Sequence, residues 1–325
     1  MPAPGLDFLV IGAPKAGTTS LHEYLRTHQD LFLPEAKEQQ FFTRDQAYEQ
    51  GWDAFARVAF RDAPAGRLLG KVSPHYLGGP AQWRDPAQES RPVSSVTAER
   101  IAATFPAVKL VAILRDPVER AISSYWQAVV LGDERRPIDD AFADELAPEA
   151  LAAARHYPLD HTQYVALGEY GRLLSDYLEH FPRERLLVAA TGDLDSSPRD
   201  LLTELWLYLG VSPHTPPNLG ERFQTRGTGR RSRMLSVGSR IANDAPGVRH
   251  LWQALPSRVR DPLRSRLRLA AHRAEQRSKA PEAELKGRPS AVLLERLRSH
   301  FEPDLARLEE LVGPVAGVTP APTRR

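Results

Sequence analysis

Residues 8–21 read FLVIGAPKAGTTSL, and this stretch constrains the fold more than any other. Phe8 to Ile11 is a short apolar run of strand type. Gly12-Ala13-Pro14-Lys15-Ala16-Gly17 is a tight, glycine-punctuated turn. From Thr18 the pattern becomes helical, with Leu21, Tyr24 and Leu25 at one-turn spacing. A strand that turns sharply into a helix presents backbone N–H groups and the positive end of the helix dipole, a cradle for phosphate or sulfate. Lys15 and the hydroxyls of Thr18 and Thr19 at the helix start add donors. The nucleotide-kinase form of such a loop is GxxxxGK[ST]. Here the two glycines keep that separation, but Thr18 stands in the lysine position and Lys15 lies inside the loop. No carboxylate ends a second apolar strand to help hold Mg²⁺. The loop suits an anion that needs no metal. An ordinary strand–turn–helix corner and a degenerate nucleotide-kinase loop remain open on these residues alone.

Two further continuous apolar runs, 108–114 and 186–190, suit buried parallel strands, and 70–72 is a shorter one. Helical patterns occupy 97–104, 117–131, 163–180, 198–209 and 290–312. This alternation predicts an α/β fold: a P-loop-like central parallel sheet with helices on both faces, in a single domain. Ligands of such sheets sit at the C-terminal strand ends, where strand order reverses. Residues 80–96 read as a loop, 132–160 as a mobile excursion and 313–325 as a frayed tail.

The 325 residues are 42% hydrophobic and 26% charged with a net charge of +2, which gives no global case for nucleic-acid binding. The absence of cysteine excludes disulfides, thiolate metal sites and a cysteine nucleophile. No apolar stretch reaches spanning length and no leader is evident, so the expectation is a cytoplasmic protein without a membrane span. One segment departs from neutrality: thirteen arginines against two acids between Arg222 and Arg273. Within it, Gly227-Thr228-Gly229-Arg230-Arg231-Ser232-Arg233 packs glycines, hydroxyls and arginines into a candidate second anion loop.

Arg115-Asp116-Pro117 follows the run 108–114, with Asp116 as helix cap and Pro117 at the first helical position. Arg115 then sits at a strand end and Ser123 on the helix beyond, and together they suit a phosphate. A simple ion pair of Arg115 with a nearby carboxylate is the alternative. Glu38, in Lys37-Glu38-Gln39-Gln40-Phe41-Phe42, is a carboxylate beside an aromatic pair, a setting that suits a general base.

Taken together, these segments resemble the sulfotransferases that use 3′-phosphoadenosine 5′-phosphosulfate (PAPS). Gly12 to Leu21 is similar to their 5′-phosphosulfate loop, and Leu114 to Tyr125 to their 3′-phosphate strand and helix. Lys37 to Phe42 and Lys71-Val72-Ser73-Pro74-His75-Tyr76 are most similar to the heparan-sulfate group. The stretch from Tyr170 to Gly210 also fits. The resemblance implies a sulfotransferase domain over 1–312, with a PAPS-binding core at about 6–235 and a helical part at 236–312. It implies Glu38 as catalytic base, with Lys15 and Lys71 as the other catalytic residues. Donor contacts fall to Pro14, Lys15, Ala16, Gly17, Thr18, Thr19, Ser20, Arg115 and Ser123. Thr228, Gly229, Arg230 and Arg231 form a lid on the 3′-phosphate. Gln40, Phe42, His75 and Tyr76 face the acceptor, a small molecule, carbohydrate or glycolipid head. No metal is implied. His75 is a rival base, and His22 reads as structural. Gln40 and Thr43 stand where the group usually has histidine and aspartate. A soluble bacterial-type relative is the resulting expectation. A nucleotide kinase with a degenerate loop and a non-catalytic nucleotide-binding protein are the alternatives.

Overall fold

The computed structural model describes residues 5–35, 37, 40–78, 93–156, 163–221, 223 and 288–319. Five parallel strands form one sheet: β1 (Phe8–Gly12), β2 (Leu31–Phe32), β3 (Leu68–Val72), β4 (Lys109–Leu114) and β5 (Leu186–Ala190). Their spatial order is β2-β3-β1-β4-β5. The helices are α1 (Thr18–Leu25), α2 (Asp45–Glu49), α3 (Trp52–Ala59), α4 (Val93–Thr104), α5 (Pro117–Leu131), α6 (Ile138–Glu145), α7 (Pro148–His156), α8 (Tyr170–Leu178), α9 (Thr191–Ser196), α10 (Pro198–Leu209) and α11 (Ala291–Val312). Every residue of β1 is buried, and so is β4 after its first residue. These strands therefore read as unbroken apolar runs, because helices cover both faces of the sheet. β1 pairs with β3 on one side and β4 on the other. The chain thus crosses to opposite sides of β1 in turn, and the loops after β1, β3 and β4 meet at one edge.

The expected α/β architecture is present, and the helix patterns at 117–131 and 198–209 match α5 and α10 to the residue. β2, only two residues long, was not anticipated. Four expectations are corrected. The helical pattern at 163–180 resolves into a 3-10 turn at Ala166–Gly168 followed by α8. Asp304 of α11 accepts the backbone N–H groups of Gly171 and Arg172, both at 2.8 Å, and so caps α8 from the far end of the chain. The excursion at 132–160 contains α6 and α7, with Ile138 and Phe142 buried. It is organised by the buried Glu134 carboxylate. That group accepts from the Arg135 and Arg136 backbone N–H groups at 2.7 and 2.8 Å, and from the Arg136 guanidinium and Tyr164 Oη. The guanidinium of Arg136, together with the backbone donors, outweighs burial and lowers the Glu134 carboxyl to about 2. In the tail, Val315 and Val318 are buried, so 313–319 is packed rather than frayed. The first four residues of α4, 93–96, are also helical rather than loop. Residues 79–92 lie outside the described residues.

Candidate active site

The loop after β1 is held from two strands. Ala13 N donates to Ile113 O on β4 at 2.7 Å. Thr191, the first residue of α9, shares its hydroxyl hydrogen between Ala16 O (2.7 Å) and Leu114 O (2.9 Å). Thr191 thus ties the ends of β4 and β5 to the loop, a role the sequence pattern did not reveal. Its only local signal was a hydroxyl directly after the apolar run 186–190. Lys15 has φ +67°, uncommon for a residue with a side chain, and Gly17 has φ +90°. At Gly17 a Cβ would also lie 3.0 Å from Leu194, so the turn requires glycine there. At Gly12 a Cβ would lie 2.6 Å from the Leu77 Cβ, and its absence lets the turn after β3 close onto β1. No side chain caps the start of α1. The first-turn N–H groups have no intrahelical acceptor. An uncapped helix start beside Lys15, Thr18 and Thr19 fits a phosphate-type anion. Ala16, Thr18 and Ser20 are buried in the wall of this cradle, and Pro14 lies half-buried at its turn.

Lys37 adds a cation that the sequence reading left without a role. Its Nζ donates to Thr19 Oγ1 at 2.8 Å and to Thr18 Oγ1 at 3.1 Å. The next residue, Glu38, lies outside the described residues. His22 Nε2 lies 3.3 Å from Pro34 O. Tyr76 Oη accepts from Phe41 N at 3.1 Å. The chain on either side of Lys37 is therefore anchored, and His22 lies buried against the Pro34 carbonyl. Burial lowers the His22 pKa, which favours the neutral ring.

Lys71 lies on β3 opposite Leu9 of β1 and is only 1% exposed. Its ammonium sits 5.3 Å from the centre of the Phe55 ring. A buried ammonium is costly unless compensated, and this one lies on the strand beside the cradle. The 3-10 turn Pro74–Leu77 follows, with Ser73 N donating to Val10 O at 3.0 Å. It carries the half-buried His75 and the fully buried Tyr76, whose backbone O accepts from Tyr177 Oη at 2.5 Å. Phe42 is fully buried too, in contact with the rings of Phe41, Trp52, Tyr76 and Phe105. Phe42 and Tyr76 thus lie in the core beneath the site, not on its surface. Gln40 is half-buried and accepts from Arg44 Nε at 3.3 Å.

On the other side of β1, Asp116 caps α5 by accepting from Glu119 N at 2.8 Å, and Pro117 opens the helix, as expected. Arg115 donates to Glu119 Oε2 from Nε (3.1 Å) and Nη2 (2.8 Å). The ion-pair alternative is therefore present in this structure, although Glu119 is 62% exposed and such a pair contributes little. Tyr170 Oη fixes the Arg115 backbone by donating to its O at 2.9 Å. Ser123 is buried one turn beyond Glu119 on α5.

Ser20 Oγ accepts from Phe223 N at 3.1 Å. Tyr24 Oη donates to Glu221 O at 2.9 Å and accepts from Gly220 N at 3.1 Å. The chain thus runs along α1 just before the arginine-rich segment. Ser20 is a tether for that run as well as a member of the cradle. Thr228, Gly229, Arg230 and Arg231 lie outside the described residues. Among the described residues no group of three or more His, Asp or Glu could hold a metal ion. No described helix is long and apolar enough to cross a membrane.

Comparison with known proteins agrees with this geometry. The model of the sulfotransferase family matches residues 7–175, more than half of the chain. Heparan sulfate glucosamine 3-O-sulfotransferase 3B1 of Mus musculus is 31% identical over 211 residues, covering 62% of this chain and 45% of that protein. The bifunctional heparan sulfate N-deacetylase/N-sulfotransferase of Drosophila melanogaster is 28% identical over 214 residues, covering 63% of this chain and 20% of that protein. The chain therefore matches less than half the length of these relatives. A sulfotransferase from Alicyclobacillus acidocaldarius shares the fold, with a TM-score of 0.61 at 23% identity and coverage of 95% of this chain and 96% of that one. With more than half its length matched by the family model, on the segment that builds the cradle, β3 and the Arg115 strand end, the chain belongs to the sulfotransferase family.

Proposed function

We propose that this protein transfers a sulfuryl group from PAPS to a hydroxyl of a carbohydrate or small-molecule acceptor. The observation that carries the reading is the uncapped start of α1, with the Lys15 turn and the Lys37 ammonium beside it, next to a strand end bearing Arg115. The α1 cradle would hold the 5′-phosphosulfate, and Arg115 with Ser123 the 3′-phosphate once Arg115 leaves Glu119. The named activity of the 3-O-sulfotransferase relatives favours a sugar hydroxyl as acceptor.

Glu38 accepts the proton of the acceptor hydroxyl as its oxygen forms a bond to sulfur. The bond from sulfur to the 5′-phosphate oxygen breaks, and its electron pair stays on that phosphate. Lys15 and the α1 N–H groups neutralise the charge that grows there, and Lys71 supplies further positive charge from β3. Alignment of acceptor and donor by the rigid strand ends supplies the remaining acceleration. His75, half-buried on the turn after β3, lies on the acceptor side. Tyr76 and Phe42 support the acceptor side from below, and Gln40 lies nearer the surface.

The test incubates the protein with PAPS and a panel of glucosamine-containing oligosaccharides and small alcohols, reading sulfated product by mass spectrometry. Glu38→Gln should bind the product nucleotide normally yet turn over about 10²–10⁴-fold more slowly. If Glu38→Gln keeps its rate and His75→Ala loses it, the base is His75. Failure of the wild type to bind PAPS would overturn the reading altogether.

A further inference from the structure

We propose that Lys37 is a further cation of the transfer site, beside Lys15 and Lys71, which turns the Thr18 and Thr19 hydroxyls into hydrogen-bond donors for the 5′-phosphosulfate end of the nucleotide and adds its own charge there. The proposal rests on the reading of the chain as a PAPS-dependent sulfotransferase.

The argument begins with donor and acceptor capacity. An ammonium has three N–H bonds and no lone pair, so any hydroxyl that contacts it must act as acceptor. Lys37 Nζ contacts both threonine oxygens, at 3.1 and 2.8 Å. Each hydroxyl has one hydrogen, and the ammonium turns both away from itself. The two threonines open α1, where no side chain caps the helix. Their hydrogens, the first-turn N–H groups and the ammonium thus bring several donors together at the start of α1. A hydroxyl that accepts from a cation is also polarised and donates more strongly. An anion is the ligand class that such a cluster recognises.

The placement of Lys37 is built, not incidental. The backbone on one side of it is held by His22 of α1 through Pro34 O, and on the other by Tyr76 through Phe41 N. Both holding side chains are buried. Glu38 is the next residue in the chain. A cation that grips the donor therefore sits on the same short segment as the proposed base.

The experiment compares two nucleotides by calorimetry on the full chain. The first is 3′-phosphoadenosine 5′-phosphate. The second is adenosine 3′-phosphate, which lacks the 5′ group. Lys37→Met should weaken the first by roughly 10- to 100-fold, the range for a lost charge-assisted contact, and leave the second unchanged. Lys37→Arg should keep most of the affinity. Equal losses for both nucleotides, or undiminished binding of the first, would overturn the role of Lys37 while leaving the enzyme reading intact. A wild type that binds neither nucleotide overturns both. Should Lys37→Met lose its cooperative thermal transition, Lys37→Gln is read against the same outcomes.

Discussion

On the β3 side of β1 the site rests on rings, and on the β4 side it rests on carboxylates. Phe41 and Phe42 pack edge-on at 4.9 Å, Trp52 meets Phe105 at 4.7 Å, and Phe55 lies 5.1 Å from Phe41 and 5.3 Å from the Lys71 ammonium. Across β1, Tyr170 holds the Arg115 backbone. Tyr170 opens α8, whose cap residue is Glu169. The Glu169 carboxylate, 2% exposed, takes hydrogen bonds from Arg155, Arg172 and His300. Aromatic packing carries no titratable charge, whereas a buried carboxylate depends on staying ionised. The half proposed to perform transfer thus rests mainly on rings, with the Arg100–Asp45 ion pair at their edge, and the half proposed to read the nucleotide rests on a buried carboxylate. Lys15, Lys37 and Lys71 are held close to strands and helix ends, while Arg115 is parked on an exposed carboxylate. To meet a phosphate, Arg115 must exchange that partner for the ligand.

The largest effect separates the halves by rate. Lys15→Ala should lower kcat by about 10²–10³ with the fold intact, because one donor to transition-state charge is removed. Near-normal kcat would mean that the β1 loop binds but does not assist transfer.

Acid should break the β4 side first. Burial alone would raise the Glu169 carboxyl, but His300, Arg155 and Arg172 outweigh it and hold it at about 2, below its ordinary 4.5. Its contribution, about 3 kcal/mol, is complete above pH 4.5 and vanishes as the pH falls towards 2. Glu134 weakens over the same range. Amide exchange measured along an acid titration should rise in α8 and α5 before it rises in β3 and α3. Simultaneous loss in both would show that the two supports are one cooperative unit.

Arg115→Ala should weaken 3′-phosphoadenosine 5′-phosphate by roughly 10- to 100-fold and adenosine 5′-phosphate hardly at all. Calorimetry on both nucleotides checks this, and equal losses would remove Arg115 from 3′-phosphate recognition. The smallest effect concerns its parking partner. Glu119→Gln should tighten the 3′-phosphorylated nucleotide by a few-fold at low salt, since exposed ion pairs contribute only about 0–1 kcal/mol. The gain should fade as salt is raised. Weaker binding in Glu119→Gln would mean that the carboxylate orients Arg115 for the ligand.

Much of this was legible in the chain because its causes are local. The β1–turn–α1 unit shows as an apolar run, two glycines and a helical period within residues 8–25. Asp116 and Pro117 announce the start of α5 by cap chemistry between near neighbours. The organised stretch at 132–156 was misread because its period is weak. Glu134 holds it through its own backbone neighbours and through Tyr164, a residue far outside any helical window. Lys37 was given no role for the same reason: its partners are on α1, nineteen and eighteen residues away. Phe42 read as a wall of the site, and its burial followed from rings contributed by α3 and residue 105.

By itself the sequence determined the anion cradle, the parallel alternation of strands and helices, and the residue types available for transfer, since each follows from short-range backbone geometry and periodicity. Only the tertiary structure decided which strand ends meet, that Thr191 ties the cradle to its neighbours, that Lys37 reaches the two threonines, and that Arg115 waits on Glu119. Those are contacts between segments whose approach is governed by sheet order and by what each must bury, and no window of sequence contains both partners.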